Sequence, residues 1–110
     1  MVYMYAFASV GDFAFDPKSW PDVPGMMKTL ESYGMRVMVS AWPFLSKGSS
    51  TRATVVNHKW AMTVQGTSTP VGWDDNNCVE SGGGPCAIYD PTQKAAREYI
   101  WSRLREGYYQ

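Results

Sequence analysis

Acidic side chains outside the expected helix interiors stand at Asp12, Asp16, Asp22, Asp74, Asp75, Glu80 and Asp90. Hydrolysis of a glycoside needs two carboxyl groups on opposite sides of the scissile bond, one acting as acid and the other as nucleophile or base. Here each candidate has a plainer role: Asp22 and Asp90 stand where helices begin, Asp16 precedes Pro17 in a turn, and residues 74–80 are a polar loop. None is expected to be catalytic. A metal centre is not expected either, because His58 is the single histidine and Cys78 and Cys86 lack a CxxC spacing. Asp74-Asp-Asn-Asn77 lacks the alternating oxygens and the following glycine of a calcium loop. Gly82-Gly-Gly84 has no Lys-Ser/Thr after it and Ser81 is not framed as GxSxG, so neither a phosphate cradle nor a nucleophile elbow is present, and no cofactor is expected. What remains is aromatic. Trp and Tyr faces stack on the apolar faces of sugar rings, and Trp42 ends an apolar run just before Pro43.

The totals narrow the partners. Ten basic and ten acidic residues cancel, so no long-range field favours nucleic acid or an anionic membrane. No apolar run approaches the roughly 20 residues of a membrane span. At 110 residues, 45% of them hydrophobic and 15% aromatic, the chain is one domain at most, with enough apolar material for a packed core. Cys78 and Cys86 flank the triple glycine at a spacing that suits a small disulfide loop in a secreted protein, but two free thiols are the expectation, and the compartment is left open.

The elements that must position these residues follow from patterning. Residues 2–10 are aromatic and small apolar and predict a strand, ended by Gly11. Asp22 is placed to cap a helix over residues 23–33, with Met26, Met27, Leu30 and Tyr33 on one stripe and Gly34 as its left-handed stop. The run 35–42 follows at once and predicts a buried parallel strand, Met38, Ser40 and Trp42 facing one way and Val37, Val39 and Ala41 the other. Residues 44–85 read as a long Gly/Ser/Thr-rich excursion carrying a small hairpin over residues 60–73, and loops of such length are usually functional. Asp90-Pro-Thr-Gln93 opens a helix over residues 91–106, with Ala96, Ile100, Leu104 and Tyr108 every fourth residue, Trp101 flanking and Gly107 as the stop.

In this order, Gly11-Asp-Phe-Ala-Phe-Asp-Pro-Lys-Ser-Trp-Pro-Asp22, the helix ending in Tyr33-Gly34, Met38-Val-Ser-Ala-Trp-Pro43, and Gly84-Pro-Cys-Ala-Ile-Tyr-Asp-Pro-Thr92 with the helix after it resemble successive segments of family 31 glycoside hydrolases, closest to α-xylosidase and α-glucosidase-like members. The resemblance implies an α/β fold, a partial (β/α)8 TIM barrel of about two βα units with a long loop carrying a small hairpin. It also implies retaining hydrolysis of α-glycosidic bonds by two Asp residues, neither within this chain, the nucleophile lying on the strand after the last helix. By the same resemblance Ser40 is the best match to a sugar contact of the cleavage subsite, with Trp42 next. An Asp that the family usually carries on the preceding strand falls near Tyr3, where this chain has none.

A complete barrel typically needs about 250 residues, so residues 1–110 are expected to be one piece of a catalytic barrel, inactive alone. The expected partners are an oligosaccharide or glycoside and the remainder of the parent barrel, with no nucleic acid and no membrane. Two strands cannot close a barrel, so weak folding, oligomerisation or aggregation is expected of the isolated chain. Two rival expectations differ in class: a non-catalytic carbohydrate-binding or interaction module using Trp42, Trp60 and Trp73, and a truncated product with no function.

Overall fold

The computed structural model describes residues 9–73 and 85–109. Helix α1, Val23–Ser32, forms where the capping signals place it: the Asp22 carboxylate accepts the Gly25 N–H at 2.9 Å. Its end is a complete Schellman closure. Gly34, at φ +70°, donates to the Glu31 carbonyl at 2.8 Å and Met35 donates to the Leu30 carbonyl at 3.0 Å. Yet α1 buries none of its residues fully.

The run 35–42 departs from expectation. Among the described residues it joins no ladder, and Met35 and Met38 are 57% and 70% exposed. The expected alternation holds over residues 37–40, where Val37 and Val39 are half-buried while Met38 and Ser40 are exposed, but not at the end, where Ala41 is exposed and Trp42 half-buried. A central parallel strand takes its hydrogen bonds from a neighbour on each side, and among the described residues this run has no such ladder. The strand expected over residues 2–10 falls outside the described residues except for its last two.

The regular sheet comes instead from the excursion. Strands β1 (Phe44–Leu45), β2 (Gly72–Trp73) and β3 (Cys86–Ile88) form an antiparallel sheet of order β1-β3-β2, with Leu45 opposite Ala87 and Trp73 opposite Cys86. The expected hairpin is present: Val64 donates to the Thr69 carbonyl at 2.9 Å, Val71 donates to the Met62 carbonyl at 2.7 Å, and Gly66 turns at φ +80°. Its first arm also bonds the end of β3, through Met62 to Ile88 at 2.8 Å and Asp90 to Trp60 at 2.7 Å. Between β1 and the hairpin lies a helix that patterning did not indicate, α2 (Ser50–Asn57), whose first turn is capped by the Ser49 hydroxyl and which buries Thr51 and Val55.

Helix α3 runs over Lys94–Tyr108. It starts later than the expected residue 91 because the Asp90 carboxylate gathers the Thr92 N–H (2.9 Å), the Thr92 hydroxyl (2.7 Å) and the Gln93 side-chain amide (3.0 Å) into a turn ahead of it. Gly107 does not stop the helix but lies within it. A Cβ there would overlap the Phe13 carbonyl oxygen, so glycine serves close backbone approach by the loop after Gly11, in which Phe13 itself takes φ +53°.

The core follows from these elements. Phe13, Leu45, Val55, Ala61, Ala87 and Ile100 form one buried cluster, with Trp60, Tyr89, Tyr99, Leu104 and Tyr108 packed on it. Val10 and Cys86 form a second, with Phe44 against it. The expectation of two free thiols is corrected: Cys86 is fully buried and held in a disulfide. Cys78, the chain's one other cysteine, lies outside the described residues.

Candidate functional site

Ser40 and Trp42 sit at the end of the run 35–42, where Pro43 turns the chain into β1. Ser40 is exposed and Trp42 is half-buried, its indole lying edge to face on Phe44 with ring centres 6.0 Å apart at 85°. The Ser46 N–H donates to the Val10 carbonyl at 2.8 Å, and the backbone of Gly11 lies so close to β1 that a Cβ at position 11 would meet Leu45. The segment after Pro43 is thereby pinned to the chain that leaves residues 2–10.

The described acids are absorbed by local structure. Asp12 accepts the Ser9 N–H at 3.1 Å, and Asp16 accepts the Lys18 N–H at 3.1 Å and the Ser19 hydroxyl at 2.9 Å. Those two bonds, the Lys18 N–H first, hold the Asp16 carboxyl below its ordinary range. The Thr92 hydroxyl, then the Gln93 amide, do the same for Asp90. Asp22 is the cap of α1. Each keeps the turn or capping role that its position in the chain suggests. Asp74, Asp75 and Glu80 lie outside the described residues.

Of the three tryptophans considered for stacking, Trp60 is committed to the interior. It stacks on His58 at 4.5 Å and tilts against Tyr99 at 5.7 Å, half-buried on the main cluster. His58 is exposed, with Nδ1 at 2.9 Å from the Thr54 carbonyl oxygen at the end of α2. Among the described residues no three His, Cys, Asp or Glu side chains are grouped to hold a metal.

Two clefts among the described residues lie elsewhere, and neither is lined by Ser40 or Trp42. The larger, about 700 Å³, is bounded by Phe15, Trp20 and Met27 on one side and Arg103, Glu106 and Tyr108 on the other. In its walls the Trp20 indole nitrogen and the Tyr108 hydroxyl are buried without a hydrogen-bond partner among the described residues. Burial, with the Asp12 carboxylate second, pushes the Tyr108 phenol up to about 12. The residues lining this cleft come from two stretches far apart in the chain, 14–31 and 103–108, so local spacing carries no sign of it.

Known proteins place this geometry. The model of the family described as glycosyl hydrolases family 31 TIM-barrel domain matches residues 1–110. An α-xylosidase A of Aspergillus niger is 31% identical over 106 residues, covering 94% of this chain and 13% of its own length. An uncharacterized family 31 glucosidase of Pseudescherichia vulneris is 26% identical over 110 residues, covering 99% of this chain and 19% of its own length. Among solved structures, a xylosidase from Aspergillus niger superposes with TM-score 0.80 at 26% identity over 98% of this chain and 14% of its own. A soil-metagenome family 31 α-xylosidase complexed with xylose superposes with TM-score 0.79 at 21% identity, over 98% of this chain and 15% of its own. The chain thus spans less than a fifth of the relatives it matches. The fold is a small piece of an α/β barrel, and the chain belongs to the glycosyl hydrolases of family 31, within their TIM-barrel domain.

Proposed function

We propose that this chain is a piece of the catalytic barrel of a retaining α-glycosidase acting on α-xylosides or α-glucosides. Ser40 and Trp42 contact the sugar in the cleavage subsite, and both catalytic Asp residues lie outside the 110 residues, so the chain is inactive alone. One of those carboxylates would attack the anomeric carbon as the other protonates the departing oxygen; water, deprotonated by the second, then releases the sugar from the first. The observation that carries the reading is the family match over residues 1–110, together with an α-xylosidase at 31% identity. The local duties of Asp12, Asp16, Asp22 and Asp90 support the absence of a working carboxylate pair here. The position of Ser40 and Trp42 at the end of the run 35–42 supports a substrate-side role, because barrel enzymes build their sites at the strand ends that lead into loops.

The test replaces the aligned stretch of the Aspergillus niger α-xylosidase with this chain and measures release from an aryl α-xyloside. The isolated chain is expected to release nothing and the chimaera to turn over. Trp42→Ala in the chimaera is expected to raise KM by about tenfold, the loss of one aromatic face. Turnover by the isolated chain, or a chimaera indifferent to Trp42→Ala, contradicts the proposal.

A further inference from the structure

We propose that the cleft between α1 and the end of α3 is a second carbohydrate-binding site, separate from Ser40 and Trp42 and suited to a neutral glycoside; the choice of glycoside rests on the function proposed above. Its walls are fixed by the fold. On one side the Trp20 N–H donates to the Asp16 carbonyl at 2.8 Å, and Asp22 caps α1, which carries Met27. On the other, Gly107 lets α3 close on the Phe13 backbone, and Tyr108 comes to lie against Phe15. The Phe15 ring meets Tyr108 at 5.3 Å and 87° and Trp20 at 6.2 Å and 67°. Three aromatic rings thus line a space of about 700 Å³, within the range of small-molecule pockets.

The composition of the walls selects the ligand. Aromatic and apolar surface from Phe15, Trp20 and Met27 suits the apolar face of a sugar ring. Among the described residues Lys28 and Arg103 stand there against Glu31 and Glu106, with Arg103 paired to Glu106 at 2.8 Å, so the lining favours neither an anion nor a cation. A ligand rich in hydroxyl groups can use both signs, accepting from the cations and donating to the carboxylates. The Trp20 indole nitrogen and the Tyr108 hydroxyl are the two polar atoms of these walls that lack a partner among the described residues. Leaving such groups unpaired in the interior is costly, and a sugar hydroxyl admitted as the rings turn would give each of them one.

The test labels the chain with 5-fluorotryptophan, identifies the Trp20, Trp42 and Trp60 lines by replacing each with Phe, and titrates methyl α-thioxyloside, which resists hydrolysis. The Trp20 line is expected to shift saturably, in the parent and in Trp42→Phe alike. Tyr108→Phe keeps the ring and removes the hydroxyl, and is expected to weaken the Trp20 response about three- to tenfold, the range of one hydrogen bond. Met27→Tyr puts a ring into the cleft and is expected to weaken it about tenfold or more, while the Trp60 line, from the core, stays in place as the control for folding. A Trp20 line that holds still through the titration, or that moves equally in Met27→Tyr, overturns the inference. A response at Trp20 with none at Trp42 upholds the cleft and removes the sugar-contact reading of Trp42; the reverse overturns the cleft alone. In the α-xylosidase chimaera the same ligand is counted by calorimetry. Met27→Tyr is expected to bind one equivalent fewer than the parent chimaera, with KM for the aryl α-xyloside unchanged, and equal stoichiometry in the two is the contrary result.

Discussion

The two halves of the molecule behave in opposite ways. Residues 23–42 carry strong local signals, an aspartate cap, an apolar stripe and a Schellman glycine, yet α1 buries nothing fully and Met35 and Met38 face outward. Residues 44–73 and 85–108 include a long excursion rich in turn residues, and with the loop through Phe13 they hold the main core. Local propensity and burial are separable: a cap and a periodic stripe decide that a helix forms, but a partner decides whether it is buried. Among the described residues the first half buries little, whereas the second half supplies most of its own core.

The sharpest way to break the contrast is to cut one side chain from each half. Leu45→Ala empties a fully buried site and is expected to lower unfolding free energy by about 2–5 kcal/mol. Leu30→Ala, half-buried on α1, is expected to stay near 1 kcal/mol or less. Denaturant melts of the two variants read the difference directly, and equal losses would erase the distinction between the halves.

Reducing the disulfide acts on the second half alone. Removal of a disulfide is expected to take away about 2–4 kcal/mol by freeing the unfolded chain. The check is a thermal melt with and without reductant, followed by the signal of the sheet. An unchanged midpoint would mean that Cys86 gains nothing from its bond.

A smaller effect is expected at high pH. The buried Tyr108 phenol is pushed from 10.0 up to about 12, so the folded state favours its neutral form. That contribution is complete below the unfolded value and drains away as pH rises through about 10 to 12. Tyr108→Phe should flatten the stability profile over this interval, at little loss near neutrality because the hydroxyl has no partner among the described residues. A profile as steep in Tyr108→Phe as in the parent would assign the fall to other groups.

The same contrast explains what could be seen in the chain beforehand. The ends of α1 and the hairpin at Gly66 were legible because Asp22, Gly34 and Gly66 act within a few residues of themselves. Helix α2 was not, since Thr51, Thr54, Val55 and Val56 are poor helix formers and its stability comes from burying Thr51 and Val55 on distant residues. Gly107 misled for a related reason: its missing Cβ answers Phe13, far away in the chain, and not the end of its own helix. The disulfide at Cys86 was missed because thiol spacing says only that a loop can close. Ser40 and Trp42 stood out through resemblance and the Trp-Pro boundary. The contact of Trp42 with Phe44 and the position of Trp60 in the core needed the folded structure.

Amide hydrogen exchange of the monomeric chain at low concentration tests the central claim most directly. The account expects slow exchange in β3, α2 and the middle of α3, and exchange within the earliest time points over α1 and residues 35–42, which await the rest of the barrel. Protection of residues 35–42 equal to that of β3 would contradict it.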